Sequence, residues 1–347
     1  MVAHTSIGGR RLRLQFTNPF GSKVVVVGAA HLAIRDKDSG IVPASDRVVT
    51  VGGNKSFRLL AGATMFSDPV DLEFPALADL AISLYFPQDT GPTAAHTTGL
   101  HTTFISEPGD FTGQTQITGG TTANVYYWVS AIDVLAPAST AAIVTLGDSI
   151  TDGTSSTVNA DHSWPARLAV RLQANKPTAS LGVANEGISG NRVLADGSGV
   201  AALARLDHDV LAQSGVKWLM LLESINDIGL ESRTNTGLTA ADLTAAYRQI
   251  VERAHTRGIK VVGCTLTPYQ GAAYYSEPGE TMREAVNDFI RSSGTFDAVA
   301  DFDAAVRDPA NPKHYRVDMQ SGDNLHPSDA GYQAMADAVS LSIFTAK

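Results

Sequence analysis

The hydrophobic pattern changes its period once along the chain. From Arg11 to about Ala136 the period is two. The stretch "RLRLQF" sets Leu12, Leu14 and Phe16 on one face and Arg11, Arg13 and Gln15 on the other, the pattern of a half-buried strand. The runs "KVVVVGAAHLAI", "RVVTVGG", "KSFRLLAG", "DLAISLYFP" and "VYYWVSAIDVLA" follow, punctuated by Asn-Pro, Gly-Gly, Pro-Gly and Asp-Pro. Many short strands so spaced predict an all-β sandwich or jelly-roll domain over residues 1–137. Residues 88–122 are rich in Thr, Gly and Pro, include His96 and His101, and predict long loops.

From about Thr140, greasy runs alternate with helical patterns. The predicted strands are residues 141–146, 182–185, 216–222, 259–265 and 297–302. A helix is predicted from Thr239 to about Arg257. Thr239 and Asp242 form a variant capping box, Leu243, Tyr247, Ile250 and Val251 share a face, and Gly258 ends it. A last helix is predicted from about Ser328 to Phe344. This alternation predicts an α/β domain over residues 138–347, a three-layer α/β/α sandwich around a five-stranded parallel sheet. Residues 137–140, "PAST", read as a linker, and neither half shows an internal repeat.

Composition narrows the function. The length of 347 residues suits two domains. Hydrophobic residues at 44% and charged residues at 18% suit a sizeable core. A net charge of −9, with no local run of Lys or Arg, argues against a nucleic-acid partner. Cys264 is the sole cysteine, so no intrachain disulfide forms, and its apolar run makes it a buried, inert thiol. No apolar stretch approaches the roughly 20 residues of a membrane span. No signal peptide is visible at "MVAHTSIGG", which fits a cytosolic start or one whose leader has been removed.

In open parallel sheets, ligands bind beyond the carboxyl ends of the strands. Four polar, Gly-rich segments fall there or before the last helix: "GDSITDG" after the first strand, "NEGISGNR" after the second, "ESINDIG" after the third, and "GDNLHPSDAGY". Alone, the first admits a plain turn, a phosphate loop or a nucleophile. The G-x-S-x-G elbow is absent around Ser149, and neither G-x-G-x-x-G nor a P-loop follows any strand.

In order and spacing these segments resemble the four blocks of the SGNH (GDSL) hydrolase family, from Ala142 to the C-terminus. The resemblance implies a flavodoxin-like fold and a serine hydrolase. It assigns Ser149 in "GDSI" as nucleophile, Gly190 in "GISGN" and Asn226 in "SIND" as oxyanion donors beside the Ser149 N–H, and Asp323 and His326 in "DNLHP" as the rest of the triad. The first half is similar to the β-sandwich domain of some larger two-domain esterases of the family. The family's third block usually reads Gly-x-Asn-Asp, and Ser224 replaces that glycine.

The chemistry is self-consistent. A serine hydroxyl needs a base, an imidazole serves near neutral pH, and a carboxylate three residues away can orient it. Asp148 and Asp227 read as loop braces, and His162 and His255 as surface or structural groups. Ser224 and Ile225 are expected in the substrate pocket, with an altered acyl preference or rate expected from Ser224. Tyr274 and Tyr275, in "YQGAAYYSEP", are expected at its rim for stacking, or else as packed tyrosines of a surface loop. No metal or cofactor is required. The expected substrate is a small short-chain ester, an acetylated carbohydrate among them. The alternatives are a carbohydrate-binding protein with an inactive hydrolase half, or a thioesterase or lysophospholipase. Related two-domain proteins are often exported, so a secreted or periplasmic location is expected over a cytoplasmic one.

Overall fold

Contacts in the computed structural model, which describes residues 1–91 and 95–345, divide the chain into two units, Met1–Ala138 and Ser139–Lys347. Residues 92–94 of the predicted loop stretch and residues 346–347 lie outside the described part.

The first unit is built from antiparallel sheets. One runs Val2–His4, Asp79–Tyr85, Ala29–Ile34, Arg47–Val48; the other runs Val129–Val134, Gly9–Thr17, Thr64–Phe66, with Val70–Phe74 also paired to Gly9–Thr17. The alternation seen in the sequence explains the packing. Leu12, Leu14 and Phe16 are buried and share one core with Leu32, Leu80 and Ile82 of the other sheet. Outward-facing Arg11 and Arg13 pair with Asp71 and Asp133. The run "KVVVVGAAHLAI" divides into Val25–Val27 and Ala29–Ile34, which belong to different sheets. Periodicity misses this break because both pieces are apolar. The predicted loops carry the short strands Ala95–His96 and Thr103–Ile105.

The second unit has five parallel strands: β1 (Ala141–Gly147), β2 (Leu181–Gly187), β3 (Val216–Leu222), β4 (Lys260–Cys264) and β5 (Ala298–Ala300). Their order is β2-β1-β3-β4-β5, the flavodoxin-like arrangement that the sequence predicts. The helices are α1 (Ser149–Asp152), α2 (Trp164–Ala174), α3 (Ala202–Leu206), α4 (Ile225–Thr234), α5 (Ala240–His255), α6 (Glu277–Ser292), α7 (Phe302–Val306) and α8 (Asp329–Ala338). Sheet and helices bury one core: Ile143, Val144 and Leu146 of β1 and Leu219 to Leu222 of β3 are all inside it. Such continuous burial is what a central parallel strand requires.

Helix α5 has both halves of its capping box, Thr239 Oγ1 accepting from the Asp242 N–H and the Asp242 carboxylate accepting from the Thr239 N–H. Two elements are shorter than predicted. The strand predicted over residues 297–302 ends at Ala300, because the Asp301 side chain turns to cap α7 by accepting from the Ala304 N–H. The last helix stops at Ala338, where the Arg171 guanidinium of α2 donates to the Ala336 and Val339 carbonyls. A 3-10 turn, Leu341–Phe344, follows. Among the described residues no helix is long and apolar enough to cross a membrane.

Candidate active site

Strand β1 delivers the chain to Asp148, whose Oδ1 accepts the Ile150 N–H at 2.9 Å and caps α1. Ser149 is therefore the first helical residue, at a position where backbone N–H groups lack intrahelical partners. Its Oγ lies 2.8 Å from His326 Nε2, and His326 Nδ1 lies 2.6 Å from Asp323 Oδ2. The other carboxylate oxygen of Asp323 accepts the N–H groups of Leu325 and His326, both at 2.9 Å. Partial burial raises the Asp323 pKa, but the hydrogen bonds from His326 and Leu325 outweigh it and leave the carboxyl below its ordinary range. Asp323 is thus a fixed anion.

Ser149 and His326 are 177 residues apart in sequence, and contacts on α8 align them. Tyr332 donates to the Thr154 carbonyl at 2.6 Å. Asp329 accepts from Thr157 N–H and Oγ1 at 2.9 and 2.6 Å, and lies 2.6 Å from His162 Nδ1. These ties bind the first turns of α8 to the loop after Ser149. His162 therefore has a structural place, as the sequence suggests, while Asp329 and Tyr332 went unread.

Gly190 follows β2 with φ +81°, and a Cβ there would lie 2.6 Å from Ser198 Oγ. Both facts require glycine. Its loop is held on two sides. Asp152 accepts from Ser189 N–H and Oγ at 3.0 and 2.7 Å. Asn191 donates to the Ser198 and Val200 carbonyls. Arg205, buried on α3, joins the pieces: it donates to Asn191 Oδ1, to the Glu186 carbonyl and to the Gly147 carbonyl at the end of β1. The sequence signal for Arg205 is an arginine inside the apolar run "VAALARL", which demands a buried partner.

Asn226, in the first turn of α4, donates through Nδ2 to the Asn191 carbonyl at 2.9 Å, and its Oδ1 accepts from the Tyr274 hydroxyl at 3.2 Å. An amide nitrogen has two N–H donors, so one remains for a ligand. Asp227 braces the Gly190 loop, its carboxylate accepting from Val193 N–H at 2.8 Å and Leu194 N–H at 3.2 Å.

Two expectations for the substrate pocket, Ser224 and Ile225, are corrected, and Tyr275 takes the packed place that the sequence also allowed. Ser224 is fully buried with φ +98°, and its hydroxyl lies 2.9 Å from the Tyr247 hydroxyl, which donates to the Glu223 carbonyl. The backbone keeps the conformation a glycine would favour, at a cost on the order of 1 kcal/mol, and this turns the side chain into the core. No effect on acyl preference follows from it. Ile225 is 2% exposed and packs in the core. Tyr275 turns its hydroxyl to Glu277 at 2.9 Å and packs its ring on Tyr269, with centroids 5.0 Å apart. Tyr274 does reach the site, but by its hydrogen bond to Asn226.

Acidic groups crowd around the Ser149 loop. Asp148 is 1% exposed, and burial, with Asp227 and Asp152 nearby, pushes its carboxyl up to about 7 against the Ile150 hydrogen bond and the Arg205 charge. Burial pushes Asp227 up to about 6, despite the hydrogen bonds of Val193 and Leu194. Glu223 is raised by burial and by Asp148, and neither of its carboxyl oxygens has a hydrogen-bond partner among the described residues. A carboxyl with a raised folded pKa binds its proton more tightly folded than unfolded. The folded state is unpenalised below the unfolded value, near 4, and loses stability as pH rises toward 7. Asp148→Asn keeps a good cap and removes that titration. Thermal unfolding from about pH 5 to about pH 8 is expected to show a smaller stability loss in Asp148→Asn than in the native protein; equal losses would contradict the assignment.

A parallel flavodoxin-like sheet with a hydrogen-bonded Ser-His-Asp row beyond its carboxyl edge is the architecture of a serine-type hydrolase. Residues 145–334 match the GDSL-like Lipase/Acylhydrolase family. That is more than half of the chain, and the chain belongs to this family, as a carboxylic ester hydrolase. A search of curated proteins found no match. Among solved structures, similarity extends to an acetylxylan esterase from Geobacillus stearothermophilus, at 22% identity and a TM-score of 0.45, covering 57% of this chain and 91% of that one. It extends also to an α/β hydrolase enzyme from the metagenome of Lake Arreo, Spain, at 18% identity and a TM-score of 0.46, covering 59% and 95%.

Proposed function

We propose that the protein hydrolyses short-chain carboxylic esters through an acyl-enzyme on Ser149. The supporting observation is the line Asp323–His326–Ser149, with contacts of 2.6 and 2.8 Å. His326 Nε2 takes the hydroxyl proton as Oγ attacks the ester carbonyl carbon. The resulting oxyanion is received by the N–H groups of Ser149 and Gly190 and the free N–H of Asn226. Asp323 balances the imidazolium. The tetrahedral species collapses, and the alcohol leaves with the proton from His326. Water then gives a proton to His326 and adds its hydroxide to the acyl carbon; collapse breaks the acyl–Oγ bond, His326 returns its proton to Ser149 Oγ, and the carboxylic acid is released. No step requires a metal or cofactor.

The substrate in this reading carries a small acyl group, an acetyl ester of a carbohydrate among them. Two observations support it. The Tyr274 ring is packed against Gly229, beside the oxyanion amide, so a Cβ at Gly229 would lie 2.2 Å from it; this fills space that a long acyl chain needs. Thr154 and Ser189, 2.8 Å apart, lie on the Ser149 and Gly190 loops; because Ser189 Oγ donates to Asp152, Thr154 Oγ1 donates to Ser189 and keeps lone pairs that can accept from a hydroxyl-rich alcohol. Rates on p-nitrophenyl esters from acetate to palmitate, with acetate release from acetylated xylan fragments, test this. Short esters are expected to be hydrolysed fastest, with acetate released. A maximum at palmitate would move the protein to the lipases, and an inert protein would make it a binding module.

A further inference from the structure

Asn226 has three hydrogen-bonding atoms to place, and the structure accounts for two. The Asn191 carbonyl accepts only, so the amide nitrogen must face it, as it does at 2.9 Å. Oδ1 is thereby turned to the opposite side, where a donor is required. The Tyr274 hydroxyl supplies it at 3.2 Å. Burial raises the Tyr274 pKa well above the ordinary phenol value, so the hydroxyl keeps its proton at any working pH. One N–H of Asn226 is left.

We propose that Tyr274 is a positioning residue for this oxyanion donor. Its hydrogen bond to Oδ1 blocks the 180° flip that would aim a carbonyl oxygen at the developing negative charge. It also draws electron density from the amide and makes the remaining N–H a stronger donor. The tyrosine is itself held in place. Gly229 lies three residues beyond Asn226 on the same face of α4, and its missing side chain seats the Tyr274 ring. Tyr269 packs beside the Tyr274 ring, with centroids 6.1 Å apart. Asn226 and the glycine of "INDIG" thus work with a tyrosine 48 residues away in sequence. This inference rests on the reading of Ser149 as nucleophile and Asn226 as oxyanion donor.

The test compares the native protein, Tyr274→Phe, Asn226→Ala and the double variant in p-nitrophenyl acetate hydrolysis. Phenylalanine keeps the ring on Gly229 and removes only the hydroxyl, and thermal unfolding checks that each variant is folded. Asn226→Ala is expected to lower kcat by about 10²–10³. Tyr274→Phe is expected to lower kcat about tenfold, the loss of one hydrogen bond's worth of stabilisation, with KM held within about twofold. The double variant is expected to be no slower than Asn226→Ala, because Tyr274 acts through Asn226. An unchanged kcat in Tyr274→Phe overturns the proposal. So does the same tenfold loss on the Asn226→Ala background, or an effect confined to KM, which would make the tyrosine a substrate contact. If Asn226→Ala itself leaves kcat intact, the oxyanion reading falls first.

Discussion

Ser149→Ala is expected to lose about 10⁶ in kcat for ester hydrolysis, and His326→Ala about as much. The alanine removes the atom that forms the covalent bond and leaves the oxyanion donors standing, so a residual rate of about 10³–10⁴ over water should persist. Serine and histidine act as a unit: without Oγ the imidazole has no proton to take, and without the imidazole Oγ keeps its proton. The double variant is therefore expected to be no slower than either single one. Initial rates at saturating p-nitrophenyl acetate read all three. A Ser149→Ala protein within about tenfold of the native rate is incompatible with this site.

Asp323→Asn is expected to cost about 10⁴ in kcat. Asparagine has the same shape and can still accept the Leu325 and His326 N–H groups on its oxygen, so the turn that carries the histidine survives. The change falls on the atom facing His326 Nδ1, now 2.6 Å from a carboxylate oxygen. An amide N–H there favours the wrong imidazole tautomer, which places a proton on Nε2, and it gives no negative charge to balance the imidazolium. The loss should fall on kcat, with thermal unfolding close to native. A loss under about tenfold would remove Asp323 from the triad.

The parts of this account legible in the sequence are those that depend on neighbours along the chain. The strand-to-loop transitions near Leu146 and at Leu222, the capping box at Thr239 and Asp242, and the Asp323–His326 spacing all stand in local patterns. So do the four blocks that carry the resemblance, now matched by the family over residues 145–334. The second strand, by contrast, runs two residues past the predicted Asn185, to Gly187, because its polar end still pairs with β1. What was illegible lies in contacts across the fold. Arg205 meets Gly147, 58 residues away; Tyr332 meets Thr154, 178 residues away; and Tyr274 meets Asn226. No period encodes such pairs. Ser224 shows a different limit. The sequence reveals a side chain where the family has glycine, but only the backbone, at φ +98°, shows that the hydroxyl points to Tyr247 inside the core. For Tyr275 the sequence left a pocket rim and a packed surface loop both open, because an exposed-looking tyrosine pair hides which ring packs and which hydroxyl reaches the site.

If Ser149 Oγ is the atom that becomes acylated, a covalent probe of serine hydrolases should find it. The native protein is incubated with a fluorophosphonate and analysed by intact mass and peptide mapping. One adduct per chain is expected, on Ser149, absent in Ser149→Ala and strongly slowed in His326→Ala. A native protein that takes no label, or a label that persists in Ser149→Ala, would contradict it.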